Sequence, residues 1–219
     1  MKKVIIIGGE GNGGVIASCI EDNRIHDPNY EWIVGGFVND YEMEVCGYPV
    51  VGKLSDIPSL LMDEDNYFMW AIHLVGRNVK TAELFNQVNI PTNRFATIVH
   101  YSAYIGKGVE LAPGAFVMCH TYVGPYAKIG VCSLVMANCS IGHNIVIDDL
   151  CHCSVGSIMT GYSKLSYCSD LAVGATLLAY KVVGKFAMLG ASSTATHDVP
   201  DYEIHVGSPA RFLKKMRED

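Results

Sequence analysis

The feature that most constrains this chain is a six-residue period running without a break from Thr97 to Ala195. Every sixth residue from Val99 is Val99, Ile105, Leu111, Val117, Val123, Ile129, Val135, Ile141, Ile147, Cys153, Met159, Leu165, Leu171, Leu177, Val183, Leu189 and Ala195. Fifteen of the seventeen are Val, Ile, Leu or Met, although the chain as a whole is only 50% hydrophobic, so composition alone does not produce the pattern. The residue two places before each is mostly small: Ala103, Ala115, Thr121, Ala127, Ser133, Cys139, Cys151, Ser157, Ser163, Ser169. A period of six fits neither a helix at 3.6 nor a simple strand at 2. It fits a solenoid of stacked coils with flat faces and tight corners, in which one large and one small residue per face point inward. Glycine often follows the large position, as at Gly106, Gly124, Gly130, Gly142, Gly184 and Gly190. These glycines are expected to supply backbone freedom at the corners. A sandwich of short strands would vary in strand and turn length and would lose phase somewhere across the seventeen positions.

Residues 1–95 follow a different grammar. Val4–Gly8 is a short apolar run leading into Gly9, Gly11 and Gly14, and Val15–Ile20 has helical composition. Trp32–Val38, Val50–Gly52 and Tyr67–Ile72 read as strands, and Lys80–Gln87 as a helix. Strands alternating with helices predict a small α/β, Rossmann-like domain over 1–95. The solenoid is expected to occupy 96–197. Residues 198–219 should form a loop and a short helix over Ala210–Glu218, with Arg211, Lys214, Lys215 and Arg217 on its solvated face.

A net charge of -6 without a basic stripe argues against a nucleic-acid partner. No apolar run reaches the length of a membrane span, and the N-terminal apolar stretch is too short for a secretion signal, so a cytoplasmic protein is expected. The eight cysteines are then reduced thiols. Cys151-His152-Cys153 invites a zinc reading, but the period places both cysteines inward and turns His152 the other way, so no metal is expected.

The Gly9, Gly11, Gly14 spacing after a strand suits phosphate held by backbone amides at a helix N-terminus, a weak signal by itself, with a nicotinamide dinucleotide as its rival. Such dinucleotide folds use a larger sheet than about 95 residues allow. Coil arithmetic stacks residues 18 apart, which sets Gly161 against His143 and Asp170 against His152. A bare Gly161 beside a base would leave room for a substrate, and Asp170 could fix the ring of His152.

Taken together, the Val4–Gly14 segment, Gly36-Phe37-Val38-Asn39-Asp40, Gly47-Tyr48-Pro49-Val50-Val51-Gly52, Ile98-Val99-His100, Ile141-Gly142-His143-Asn144, His152 and Val206-Gly207-Ser208-Pro209-Ala210 resemble the left-handed β-helix sugar acetyltransferases. The likeness is to the N-acetylbacillosamine-pathway and perosamine N-acetyltransferases and the sialic-acid O-acetyltransferases, and it covers nearly the whole chain. The resemblance implies a homotrimer that uses acetyl-CoA, without a metal, to acetylate a nucleotide-linked 4-amino-4,6-dideoxy sugar. It also implies the roles. His143, followed by Asn144, matches the general base. Asn12, Gly13, Gly14, Asn39, Asp40 and His73 match the sugar-nucleotide contacts. His152, Val173 and Ala191 match the coenzyme contacts. Relatives carry Asp or Glu where this chain has Asn144, and often asparagine at Met136. Either a different carboxylate, Asp148 or Asp149, serves His143, or the base is weaker, or the activity is lost. O-acetylation of a sialic-acid-like sugar and a non-catalytic, sugar-nucleotide-binding trimer are the alternative readings.

Overall fold

The computed structural model describes residues 1–217. The N-terminal part is a five-stranded sheet in the order β3-β4-β2-β1-β5, built from β1 (Lys2–Ile7), β2 (Trp32–Val38), β3 (Glu44–Val45), β4 (Tyr48–Gly52) and β5 (Asn66–Trp70). All neighbours are parallel except β3 and β4. β1 lies between β2 and β5, and Val4–Ile7 is buried throughout, which explains its unbroken apolar run. Helix α1 (Glu10–His26) buries Ile16, Cys19 and Ile20, spaced by three and four residues, on one side. A four-residue helix, α2 (Ile57–Leu60), precedes β5, and α3 (Asn78–Val88) follows it and ends on the left-handed Asn89.

From Ile98 the chain becomes a three-sided parallel β-helix. Each face is a stack of two-residue strands, and the second residue of every strand is the large position of the six-residue period. Face I carries Ile98–Val99, Phe116–Val117, Leu134–Val135, His152–Cys153, Asp170–Leu171 and Met188–Leu189. Face II begins at Tyr104–Ile105 and face III at Glu110–Leu111, and strands 18 residues apart pair in register. The inward residues make one continuous core from Ala115 to Val199. Val99, Ile105 and Leu111 in the first coil are only partly buried, because no coil stacks beneath them.

The corners differ from the sequence expectation. Gly106, Gly124, Gly130, Gly142, Gly184 and Gly190 do not have left-handed backbone. They are glycine because the next coil is too close: a Cβ on Gly124 would lie 2.7 Å from the Gly142 carbonyl carbon. The left-handed residues come two places later, and many are not glycine, among them His120, Tyr126, Cys132, Asn138, Asn144, Leu150, Tyr162 and Tyr180. Such a conformation costs an ordinary L-residue roughly 1–2 kcal/mol, an amount that the packed core and the coil-to-coil hydrogen bonds offset here.

The expected C-terminal helix is a strand. Glu203–Gly207 extends face I beside Met188–Leu189, and Ala210–Lys215 folds back on it antiparallel. The reversal at Gly207, with φ of 96°, and Pro209 turns the chain back within a few residues. The exposed backbone edge of the last face I strand then offers a hydrogen-bonded ladder that a short isolated helix would lack. The basic residues sit on this hairpin: Arg211 reaches His197 and Lys215 pairs with Glu203 at 2.8 Å. Glu218 lies outside the described residues.

The α/β part lies against face I. Ile98, Phe116, Leu134 and Met136 share a buried cluster with Ile16, Phe37 and Met69. Asn23 of α1 donates to the Val99 carbonyl and accepts from the Tyr101 amide, both at 2.8 Å, and Asn78 donates to the Cys168 carbonyl at 2.9 Å.

Candidate active site

His143 stands exposed on the corner between faces II and III. Its Nδ1 is 3.0 Å from Asn144 Oδ1. An amide oxygen only accepts, so Nδ1 carries the proton and the lone pair lies on Nε2. Asn144 has φ of 57°, a conformation asparagine adopts more readily than most residues. Asn144 therefore both turns the corner and orients the ring. Tyr162 meets the ring edge-on at 5.2 Å, and Tyr180 stacks on Tyr162 at 5.1 Å. Gly161 lies directly beside the imidazole: a Cβ there would be 2.7 Å from both Cε1 and Nε2. Among the described residues, no carboxylate is recorded against the His143 ring. Asp148 pairs with Lys164 at 2.8 Å, and Asp149 accepts from the Val131 amide at 2.7 Å.

His152 has the same side-chain chemistry in the opposite setting. It points away from the coil interior, yet it is only 7% exposed because the α/β part covers it. The His73 ring lies flat on it, 4.1 Å away and 9° from parallel. Its Nδ1 meets Ser154 Oγ at 3.2 Å, and its buried Nε2 has no partner. Burial, and then the neighbouring His73, holds its pKa well below the ordinary imidazole range. Asp170 is next to it in register but does not bond it; its Oδ2 faces His73 Nε2 at 3.5 Å. Burial raises the Asp170 carboxyl to about 6, with His73 and Asn78 acting in the opposite direction. Cys151 and Cys153 are core thiols, and burial raises Cys151 to about 12, which disfavours the thiolate that a metal requires.

A cleft of about 400 Å³ opens beside His152, lined by Gly8, Gly9, Glu10, Gly11, Asn12, Ala71–Val75 and His152. Asn12 Nδ2 reaches the Ala71 carbonyl at 3.4 Å across its floor. An adjoining cavity of about 550 Å³ is lined by Gly8, Gly9, Asn39, Asp40, Tyr41, Arg77 and Lys80 among others. Asn39 donates to the Gly8 carbonyl and accepts from the Tyr41 and Glu42 amides, while Asp40 accepts from the Leu54 amide at 2.9 Å. Both side chains thus shape the cavity wall. Gly13 and Gly14 line neither space. A Cβ on Gly13 would meet Phe37 at 2.9 Å, and one on Gly14 would meet Cys46 Sγ at 2.9 Å, so both let α1 pack closely.

Val173 and Ala191 are exposed one above the other on the corner between faces I and II. The sequence-derived residues therefore fall into three groups: the clefts with His73 and His152 against face I, the Val173–Ala191 corner, and His143 on the corner opposite face I. Ser154, Tyr162 and Tyr180 are contacts that sequence reasoning missed. For Asp170 the stacking register pointed to the right neighbourhood but the wrong partner.

No family model matches the chain. A solved variant of perosamine N-acetyltransferase from Caulobacter crescentus, in complex with CoA and GDP-perosamine, is similar with a TM-score of 0.84 and 23% identity, covering 98% of each chain. The acetyltransferase domain of PglB from Neisseria gonorrhoeae, in complex with acetyl coenzyme A, gives 0.81 and 21% identity over 97% of this chain and 99% of that one. Serine acetyltransferase of Bacillus subtilis is 29% identical over 124 residues, 51% of this chain; the chain spans about half the length of that curated relative, 52%. With the unbroken period and the three-sided coil, these likenesses show that the chain has the hexapeptide-repeat, left-handed β-helix fold of these structures.

Proposed function

We propose that the protein is an acetyltransferase that moves the acetyl group of acetyl-CoA to the amine of a nucleotide-linked 4-amino-4,6-dideoxy sugar, with His143 as general base. The observation that carries this reading is the His143 corner. Its Nδ1 proton is held by Asn144, its lone pair lies on Nε2, and the bare Gly161 lets the ring lie flat against the coil on an exposed corner. Nε2 takes a proton from the sugar amine as the nitrogen attacks the thioester carbonyl. The C–S bond then breaks, and the departing thiolate recovers the proton. The acceptor's nucleotide fits the two clefts against face I, where Asn39, Asp40 and the Gly8–Asn12 loop line the walls. Val173 and Ala191 offer backbone groups to the coenzyme at an exposed corner.

His143 lies opposite the face that carries those clefts, so a single chain does not bring base and acceptor together. A homotrimer, in which the corner of one copy meets the cleft of the next, resolves this. The solved relatives were crystallised with CoA, acetyl coenzyme A and GDP-perosamine, which supports the pairing of donor and acceptor. No helix among the described residues is long and apolar enough to cross a membrane. The cytoplasm is the proposed location.

The test is thiol release from acetyl-CoA with UDP-, GDP- and dTDP-linked 4-amino-4,6-dideoxyhexoses. Turnover with one of them is expected. Tight nucleotide binding without turnover of any would favour a non-catalytic sugar-nucleotide-binding protein, the reading that the neutral Asn144 beside His143 keeps open.

A further inference from the structure

Three side chains meet between the α/β part and face I: His73 and His152, which the resemblance matches to sugar-nucleotide and coenzyme contacts, and Asp170, which it matches to neither. His73 leaves the C-terminal end of β5, Asp170 opens a strand of face I, and His152 sits on the strand before it. All three are nearly excluded from water: side-chain exposure is 10% for His73 and 3% for Asp170. Asp170 Oδ2 faces His73 Nε2 at 3.5 Å, and His73 lies flat on His152 at 4.1 Å. Parallel rings in face-to-face contact do not converge their nitrogens on one point, so the trio is not a metal cage. Within the trio, Asp170 Oδ2 has only the His73 ring opposite it, at 3.5 Å, and the buried His152 Nε2, at the edge of the cleft, has no hydrogen-bond partner. Buried polar atoms are nearly always bonded, and an orphan beside a cleft points to a group that arrives from outside.

We infer that Asp170 and His73 are positioning residues for His152: Asp170 anchors the His73 ring, and that ring holds His152 flat with Nε2 presented to the cleft as a fixed, uncharged hydrogen-bonding atom. The inference rests on the proposed acetyl transfer only for the identity of the incoming group. Ser154 Oγ is 3.2 Å from Nδ1, and when it donates there, Nε2 carries the ring proton and donates to an oxygen acceptor. That acceptor is a phosphoryl oxygen of the nucleotide sugar or the thioester carbonyl oxygen of acetyl-CoA. Burial keeps the imidazole from charging, so the contact stays neutral and does not compete with His143 for a proton. The other ionisable groups around the trio are the thiols of Cys151, Cys153 and Cys168 on the coil and Glu10 at the mouth of the cleft.

Asp170→Asn keeps the size of the side chain, and His73→Phe keeps a flat ring without its nitrogen. In each full-length variant, the ring nitrogen spectrum of His152 is compared with that of the unaltered protein, without substrate. In the unaltered protein one neutral tautomer of His152 should dominate. Both variants should convert it to a mixture, and the double variant should look like either single one. This readout does not depend on turnover, so it stands even if the acetyltransferase reading fails. Where turnover is found, each variant should raise one KM by about tenfold with kcat changed less than about twofold. A rise for the nucleotide sugar names the phosphoryl oxygen, and a rise for acetyl-CoA names the carbonyl. An unchanged His152 spectrum in both variants, or fully additive effects of the two substitutions on KM, would overturn the inference.

Discussion

His143 and His152 are nine residues apart on one coil, and the fold gives them opposite surroundings. His143 falls two places after a large inward residue, on a corner, and stays in solvent against Asn144, Tyr162 and the bare Gly161. His152 falls one place before an inward residue, on a face, and the α/β part covers it. The phase within a six-residue period thus sets one histidine on a corner and the other on a face, and the α/β cover over that face decides which can exchange protons with a substrate and which can only offer a fixed contact. Burial disfavours the charged imidazole, so a proton shuttle fits the corner and a neutral anchor fits the face.

The largest effect that tests this contrast is on turnover. His143→Ala should lower kcat by about 10²–10⁴, with an unchanged melting temperature, whereas His152→Ala should act mainly through KM. Steady-state assays of thiol release separate the two, and equal losses of kcat would erase the distinction between corner and face.

A second effect concerns stability alone. The folded-state pKa of Asp170, about 6, lies above its ordinary 3.8, because burial favours the protonated form. A raised carboxyl pKa makes the folded state the stronger proton binder. Its contribution is therefore complete below about pH 4 and is lost as pH rises through 6, by up to about 3 kcal/mol. Urea unfolding of the wild type and Asp170→Asn from pH 4 to 7.5 should show the variant gaining relative stability as pH rises. A constant difference across that range would mean that the face is wetter than its burial indicates.

The smallest effect sharpens the corner. Gly161→Ala places a methyl against the His143 ring, where a Cβ would approach to 2.7 Å. Turnover should fall about tenfold through misplacement of the base, with a stability loss under about 1 kcal/mol because the corner is exposed. Denaturant titration beside the kinetic assay distinguishes this from unfolding.

The coil was readable almost residue by residue, because an inward position must be apolar at every turn and a parallel stack permits no slip. The same logic placed Gly161 against His143 and Cys151 and Cys153 in the core. The α/β strands were visible through apolar runs and glycines, with ends shifted by a few residues. Other features depend on partners distant in sequence. The strand at Ala210–Lys215 exists because face I offers an open edge, while its local composition is equally at home in a helix. The glycines after the large positions answer to backbone one coil away, and Gly13 and Gly14 answer to Phe37 and Cys46. Asp170 was in the right neighbourhood but faces His73, a residue nearly a hundred positions earlier.

The sequence by itself determined the coil: its phase, its core, and the orientation of each outward residue, since those follow from a local repeat and the requirement that apolar side chains leave water. The tertiary structure alone decided which outward residues remain in water. The α/β part covers one face and not the others. That covering turned His152 from a surface histidine into a buried one beside His73 and left His143 exposed on the opposite corner.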